Sequence, residues 1–214
     1  HVGERAHLTE TVAGVELRVS APSFFQSSPC GAELLVAAVE SAAPELVGAR
    51  HVVDAYGGVG LFAATAMRRA RHVTLIESAR SSADDARHNL GGRGDDATIV
   101  RADVGRWEPD GAHAPPIGAP GPGPVEVVVA DPARTGLGRA GVSALVATEA
   151  PTFVLVSCDP VSLARDARLL GDVGYRPERV EVLDLFPQTP HVETVTRFTR
   201  RSATSGPGTS STEG

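Results

Sequence analysis

Lysine is absent: all 20 basic residues are arginine. That removes lysine Schiff-base chemistry and the P-loop lysine from the functions open to the chain. Cysteine is nearly absent, at two residues, Cys30 and Cys158, with no C-x-x-C spacing. Two isolated thiols make neither a disulfide framework, a zinc ribbon nor a thioredoxin-like site. A reducing compartment, taken as the cytoplasm, and no resident metal are therefore expected. Aromatic residues make up only 4%, which leaves the core to aliphatic side chains. No run approaches the ~18 apolar residues that span a bilayer, and no basic-then-apolar leader opens the sequence, so no membrane partner is expected. Positive charge is in deficit, with 20 basic against 26 acidic residues and a net charge of −6. A self-sufficient nucleic-acid binder is normally basic, so strong unaided binding of RNA or DNA is disfavoured, while a local basic surface stays open.

What the sequence does have is 214 residues, 42% of them hydrophobic and 21% charged. That suits one globular domain, and a monomer is expected. Because the first residue is His1 rather than Met, the chain is expected to be a piece of a longer protein. Val15 to Val19 alternates apolar and polar, as a half-buried strand does, with Ala13-Gly14 as a turn before it. Residues 1–22 are read as a short β segment left from an upstream domain. An α/β domain is read over 23–200, and 201–214 (Ser, Thr and Gly-rich) as a disordered tail.

Within that domain, short apolar runs alternate with helical patterns. Strands are expected at 51–54, 73–76, 97–100, 125–130, 153–156, 180–185 and 194–198. Helices are expected at 29–43, 61–70, 79–90, 139–148 and 161–171. Such alternation predicts parallel βαβ units with helices on both faces. The last two strands have no helix between them, which predicts a hairpin and hence a terminal antiparallel strand. The Pro/Gly-rich stretch 109–124 reads as a surface insertion.

The first strand of the alternation runs into Asp54-Ala55-Tyr56-Gly57-Gly58-Val59-Gly60. Glycines at a strand-to-helix turn let backbone approach a ligand closely. Glu77 ends the second strand, where a carboxylate can accept from both ribose hydroxyls of a nucleoside. Asp103 follows the third, placed for an adenine amino group, and Asp131 follows the fourth. Each acid alone reads equally well as a helix N-cap. Together, at the carboxyl edge of successive parallel strands, they point to a nucleoside ligand. Gly58-Val59-Gly60 does not separate NAD from S-adenosylmethionine; the terminal antiparallel pair favours the methyl donor.

Cys158 stands at the end of the fifth strand, just before a helix, a place that favours thiolate. As a lone cysteine it reads more readily as a small buried residue. Glu193 follows a proline-bounded loop before the last strand, as a base or a solvated charge.

Five motifs then agree in order and spacing: FFQ at 24–26, DAYGGVG at 54–60, DPARTG at 131–136, SCDP at 157–160 and FPQTPHVE at 186–193. They resemble the RNA uracil-C5 methyltransferases over about residues 22–199. The resemblance implies the catalytic domain of that family. Its fold would be the class I S-adenosylmethionine-dependent one, a Rossmann-like, mostly parallel α/β sheet with a terminal antiparallel strand. S-adenosyl-L-methionine would be the donor, and tRNA or rRNA the substrate, gripped through an upstream RNA-binding domain. By motif position, Cys158 resembles the nucleophile and Glu193 the base, while Gln26, Tyr56, Gly58, Gly60, Glu77, Asp103 and Asp131 resemble the cofactor-binding residues. The family typically has Asn where this chain has Asp159. A charge there is expected to raise the Cys158 pKa unless Arg134 offsets it. Two other readings compete: a catalytically weak S-adenosylmethionine- or RNA-binding module, and an NAD-linked oxidoreductase. Cys158 with Glu193 speaks against the first, and the terminal hairpin against the second.

Overall fold

The computed structural model describes residues 6–109, 123–185, 188–189 and 192–201. Its strands are β1 (His7–Val12), β2 (Val15–Ser20), β3 (His51–Ala55), β4 (His72–Glu77), β5 (Ala97–Arg101), β6 (Val127–Ala130), β7 (Thr152–Ser157), β8 (Tyr175–Leu183) and β9 (Glu193–Arg200). Its helices are α1 (Pro29–Ala42), α2 (Leu61–Ala64), α3 (Arg80–Asn89), α4 (Gly138–Val146) and α5 (Pro160–Asp172).

The most continuous apolar runs become the middle of one sheet, because only a strand covered on both faces can bury every side chain. All residues of β3, β6 and β7 are buried. The sheet order is β5-β4-β3-β6-β7-β9-β8. The first five of these strands run parallel, and β9 lies antiparallel to both β7 and β8. One core cluster, with Leu35, Val39, Phe62 and Met67, covers one face; a second, with Leu145, Phe153, Leu170 and Phe198, covers the other. The chain builds outward through β3, β4 and β5 and then returns to place β6 on the other side of β3. The reversal lies between β3 and β6, and it is at such a switch point that open α/β sheets hold ligands.

The helix expected over 61–70 stops at Ala64. Thr65 is the reason: its hydroxyl donates to the Leu61 carbonyl at 2.6 Å, and its backbone leaves helical geometry at φ −109°, ψ −85°. A side-chain hydroxyl that competes for the helix carbonyls lets the following residues relax into turns. β8 starts five residues earlier than expected, at Tyr175. It is an edge strand that faces solvent with Arg176, Glu178 and Arg179, so it carries no apolar signal.

β1 and β2 form a hairpin whose turn residues, Ala13 and Gly14, have φ of 50° and 75°, as two-residue turns that match strand twist require. Val12 and Leu17 are fully buried in the same core cluster as α1. The buried Asp85 of α3 accepts from the Ser20 backbone N–H at 2.8 Å and from the Ser20 and Ser23 hydroxyls at 2.7 Å each. The described part of residues 1–22 is thus tied into the core of the 23–200 domain. Of the 109–124 insertion and the 201–214 tail, residues 110–122 and 202–214 lie outside the described residues. No helix among the described residues is long and apolar enough to cross a membrane.

Candidate active site at the carboxyl edge of the sheet

Adjacent strands of the sheet each deliver one functional side chain to the same edge. In sheet order these are Asp103 (after β5), Glu77 (β4), Asp54 (β3), Asp131 (after β6), Cys158 (after β7) and Glu193 (β9). Glu193 joins the row because β9 runs backwards, so its first residue lies where its neighbours end. At about 4.8 Å per strand, Glu77 and Cys158 stand three spacings, about 14 Å, apart.

The glycine turn sits beneath the row. Tyr56, Gly58 and Gly60 all have positive φ, at 61°, 55° and 90°. A Cβ on Gly57 would lie 2.8 Å from Leu75 Cδ1 and 3.2 Å from Asp54 Cγ, so the turn admits no side chain there. A Cβ on Gly58 would meet nothing within 4 Å; that is open space beside a backbone bend. Glu77 holds the bend, accepting from Gly58 N–H at 3.0 Å through Oε2 and from Ala79 N–H at 2.6 Å through Oε1. A carboxylate offers about four acceptor sites, so capacity remains for a ligand hydroxyl. Asp103 does cap a short turn, accepting from Gly105 N–H at 2.9 Å through Oδ1, which leaves Oδ2 on an exposed residue.

Asp54 was not among the site residues expected from sequence. It is fully buried, its Oδ2 accepts from Ala63 N–H at 3.0 Å, and its Oδ1 has no hydrogen-bond partner among the described residues. Burial pushes its carboxyl up to about 8, with Asp131 and Glu77 adding repulsion. Asp131 is partly open at the edge, yet desolvation pushes its carboxyl to about 7. An orphaned Asp54 oxygen, a glycine cradle with open space and the acids Glu77 and Asp103 along the edge suit a cationic nucleoside such as S-adenosylmethionine.

The raised Asp54 pKa has a direct consequence for stability. The unfolded value is about 3.8 and the folded value about 8, so between these pH values the folded chain binds more protons than the unfolded one. The stabilisation is complete below about pH 4 and is lost as pH rises through 8. Asp54→Asn should flatten that decline by up to ~4 kcal/mol between pH 5 and 8, measured by urea unfolding. Parallel pH profiles for variant and wild type would refute it.

Tyr56 packs toward the α4 side, where a Cβ on Gly141 would lie 2.8 Å from its hydroxyl. Burial, then Asp103 and Asp166, push its phenol up to about 12. Gln26 is half-buried between β2 and α1. The start of α1 lies at the carboxyl edge, since a Cβ on Gly31 would lie 3.8 Å from the Leu185 side chain that follows β8. Phe186, Pro187, Pro190 and His191 of the FPQTPHVE motif lie outside the described residues.

Cys158 and Glu193 stand just past the end of an antiparallel pair of strands. Ser157 pairs with Thr194, whose hydroxyl donates to the Ser157 carbonyl at 2.9 Å. The next residues along are Cys158 and Glu193, close enough for the Glu193 carboxyl to act on the Cys158 thiol. Glu193 is buried, and desolvation, then Asp131, push its carboxyl to about 7. The half-buried Cys158 thiol is pushed up by burial and by Glu193 and Asp131, against a hydrogen bond and attraction from Arg134. In the ligand-free chain the thiol is therefore not the thiolate that a helix N-terminus alone would favour. Asp159 is not among the causes: it is partly exposed and caps α5, accepting from Ser162 N–H at 2.7 Å. The carboxylates that oppose ionisation are Glu193 and Asp131, and Arg134 is the cation that offsets them.

Arg134 and Asp131 sit on a loop that Asp166 clamps from α5, a residue that sequence patterning missed. Asp166 is buried and accepts from Leu137 N–H at 2.6 Å and Gly138 N–H at 3.1 Å. Arg165 donates to Asp166 Oδ1 at 2.8 Å and to the Thr135 carbonyl at 2.6 Å. Gly136 has φ 71°, and a Cβ there would run into the Asp166 carboxylate and the Arg165 guanidinium.

No family model matches the chain. Curated relatives do. An uncharacterized RNA methyltransferase of Listeria innocua is 32% identical over 198 residues, 90% of this chain and 41% of the relative. One from Streptomyces avermitilis is 37% identical over 194 residues, 89% of this chain and 42% of the relative. The chain thus spans about two fifths of the length of the relatives it matches. Among solved structures, the tRNA (uracil-54, C5)-methyltransferase of Pyrococcus abyssi, in complex with S-adenosyl-L-homocysteine, superposes with a TM-score of 0.73 at 30% identity. That match covers 90% of this chain and 44% of that one. The 23S rRNA methyltransferase ErmE superposes with a TM-score of 0.58 at 26% identity, over 84% of this chain and 70% of that one. The nicotinamide alternative drops out with the fold, which is the class I methyltransferase one, and over nine tenths of its length the chain is similar to curated RNA methyltransferases and to that solved tRNA (uracil-54, C5)-methyltransferase.

Proposed function

We propose that the chain catalyses methyl transfer to C5 of a uracil in tRNA or rRNA through a covalent Cys158 adduct. The observation that carries this reading is that the Cys158 thiol feels both the Glu193 carboxyl and the Arg134 guanidinium at one end of the acid row, just past the Ser157–Thr194 pair. Bound S-adenosylmethionine supplies an electrophilic methyl on a sulfonium. Glu77, Asp103, the glycine turn, Tyr56 and Gln26 hold and orient it toward Asp131.

Uracil C5 is too weak a nucleophile to take a methyl unaided. Cys158 loses its proton to solvent, a step that Arg134 favours, and its sulfur adds to C6. The C5=C6 electron pair moves onto C5 and the carbonyl, and C5 then takes the methyl. Glu193 removes the C5 proton, the C5=C6 bond re-forms, and the sulfur leaves as thiolate. A carboxyl titrating at about 7 suits a base at neutral pH, since it is free to accept and still basic enough to pull. The grip on RNA is assigned in part to an upstream domain, in keeping with the −6 charge.

The test is product identity. The protein, given RNA and isotopically labelled donor, should yield 5-methyluridine on nuclease digestion, with turnover rising with pH through about 7 as Glu193 deprotonates. Label found on a ribose oxygen or a ring nitrogen would defeat the C5 assignment.

A further inference from the structure

Away from the acid row, a cleft of about 370 Å³ opens between α4 and α5, lined by Gly138, Arg139, Arg165, Arg168, Leu169 and Asp172. Three arginines in one cleft are out of keeping with a chain of net charge −6. Arg165 is held in place, its guanidinium pinned to Asp166 and the Thr135 carbonyl. Arg139 and Arg168 are exposed and enter no ion pair among the described residues.

The cleft is continuous with the active site along one face of α5. Val161, Arg165, Arg168 and Asp172 fall at i, i+4, i+7 and i+11, which is a single helical stripe. Val161, three residues past Cys158, is 78% exposed, an apolar side chain left uncovered beside the nucleophile. From Val161 to Arg168 the helix rises about 10 Å. Across the cleft, Arg139 projects from the first turn of α4. Asp172 closes the far end with a negative charge.

We propose that this cleft holds the phosphate backbone of the RNA strand next to the target nucleotide, with Arg168 and Arg139 each on a phosphate and Arg165 fixing the wall between them. This rests on RNA being the substrate. A single strand fits better than a duplex: the contacts lie along one line beside one helix, and their charges stop at Asp172. The arrangement reconciles an acidic chain with an anionic substrate, because the positive charge is concentrated where the strand leaves the active site.

The experiment measures binding of a fluorescent single-stranded RNA to the protein across salt concentrations, with donor binding by calorimetry and 5-methyluridine formation alongside. Arg139→Gln/Arg168→Gln should weaken RNA binding about tenfold and lower the slope of log K against log salt by about 1.4, two phosphates at about 0.7 each. Donor binding should not change. Arg139→Lys/Arg168→Lys keeps both charges and should restore the slope. If the glutamine variant binds RNA with wild-type affinity and slope while 5-methyluridine still forms, the cleft assignment falls and the functional reading stands. If the wild-type protein neither binds RNA nor methylates it, both fall. If duplex RNA shows the same loss as single-stranded RNA, the single-strand assignment is wrong.

Discussion

Cys158→Ala is expected to abolish methylation and covalent RNA attachment together, a loss of at least ~10⁴-fold, because without sulfur at C6 no activated C5 exists. Glu193→Gln should behave differently. The methyl can still transfer, but the C5 proton stays and elimination stalls. A denaturant-resistant protein–RNA complex that already carries the methyl should accumulate, visible as a slowly migrating band labelled from the donor. RNA containing 5-fluorouridine offers a parallel trap with the wild-type protein, since fluorine does not leave as a cation. Methylation by Cys158→Ala would reduce SCDP to a strand-end turn. Normal turnover by Glu193→Gln, with no trapped complex, would move the base role elsewhere, with His191 the first residue to examine.

The second large effect is expected from a residue that touches neither substrate nor donor. Asp166→Ala strips the acceptor from Leu137 N–H, Gly138 N–H and the Arg165 guanidinium at once. The two backbone donors left unpaired cost about 1–3 kcal/mol each, while the half-exposed Arg165 guanidinium turns to solvent at little cost. A total near 4 kcal/mol is expected, a drop of about 10 °C in Tm for a chain of this size. Because the clamp sets the loop that bears Asp131 and Arg134, kcat should fall with stability, whereas Asp166→Asn keeps an acceptor and should lose less of both. A melting temperature for Asp166→Ala within 2 °C of wild type would mean the loop holds itself.

The sequence reveals the sheet where burial is complete. β3, β6 and β7 read as unbroken apolar runs because both faces are covered, and Asp or Cys directly after such a run marks the ligand-bearing edge. It does not reveal β1 or the first half of β8, where solvent replaces the apolar partner and polar side chains hide the strand period. The acid row is legible in Glu77, Asp103 and Asp131, since each follows a strand. Two features are not. Asp54 is orphaned only because the glycine turn folds back over it, a contact made in three dimensions. Asp166 reads as one more charge on a polar helix, although its spacing of four from the buried Ser162 and Leu170 puts it on the inward stripe. Asp159 misleads in the opposite sense: adjacency in sequence to Cys158 suggests electrostatic opposition, while the helix cap it forms turns its carboxylate to α5.

The antiparallel insertion of β9 means that the separation of thiol and carboxylate is set by a hydrogen-bonded backbone ladder and not by the packing of side chains. A slip of one residue would turn every β9 side chain to the opposite face and present Val192 or Thr194 to the sulfur. The register of β9 therefore decides how far the Glu193 carboxylate stands from the Cys158 thiol.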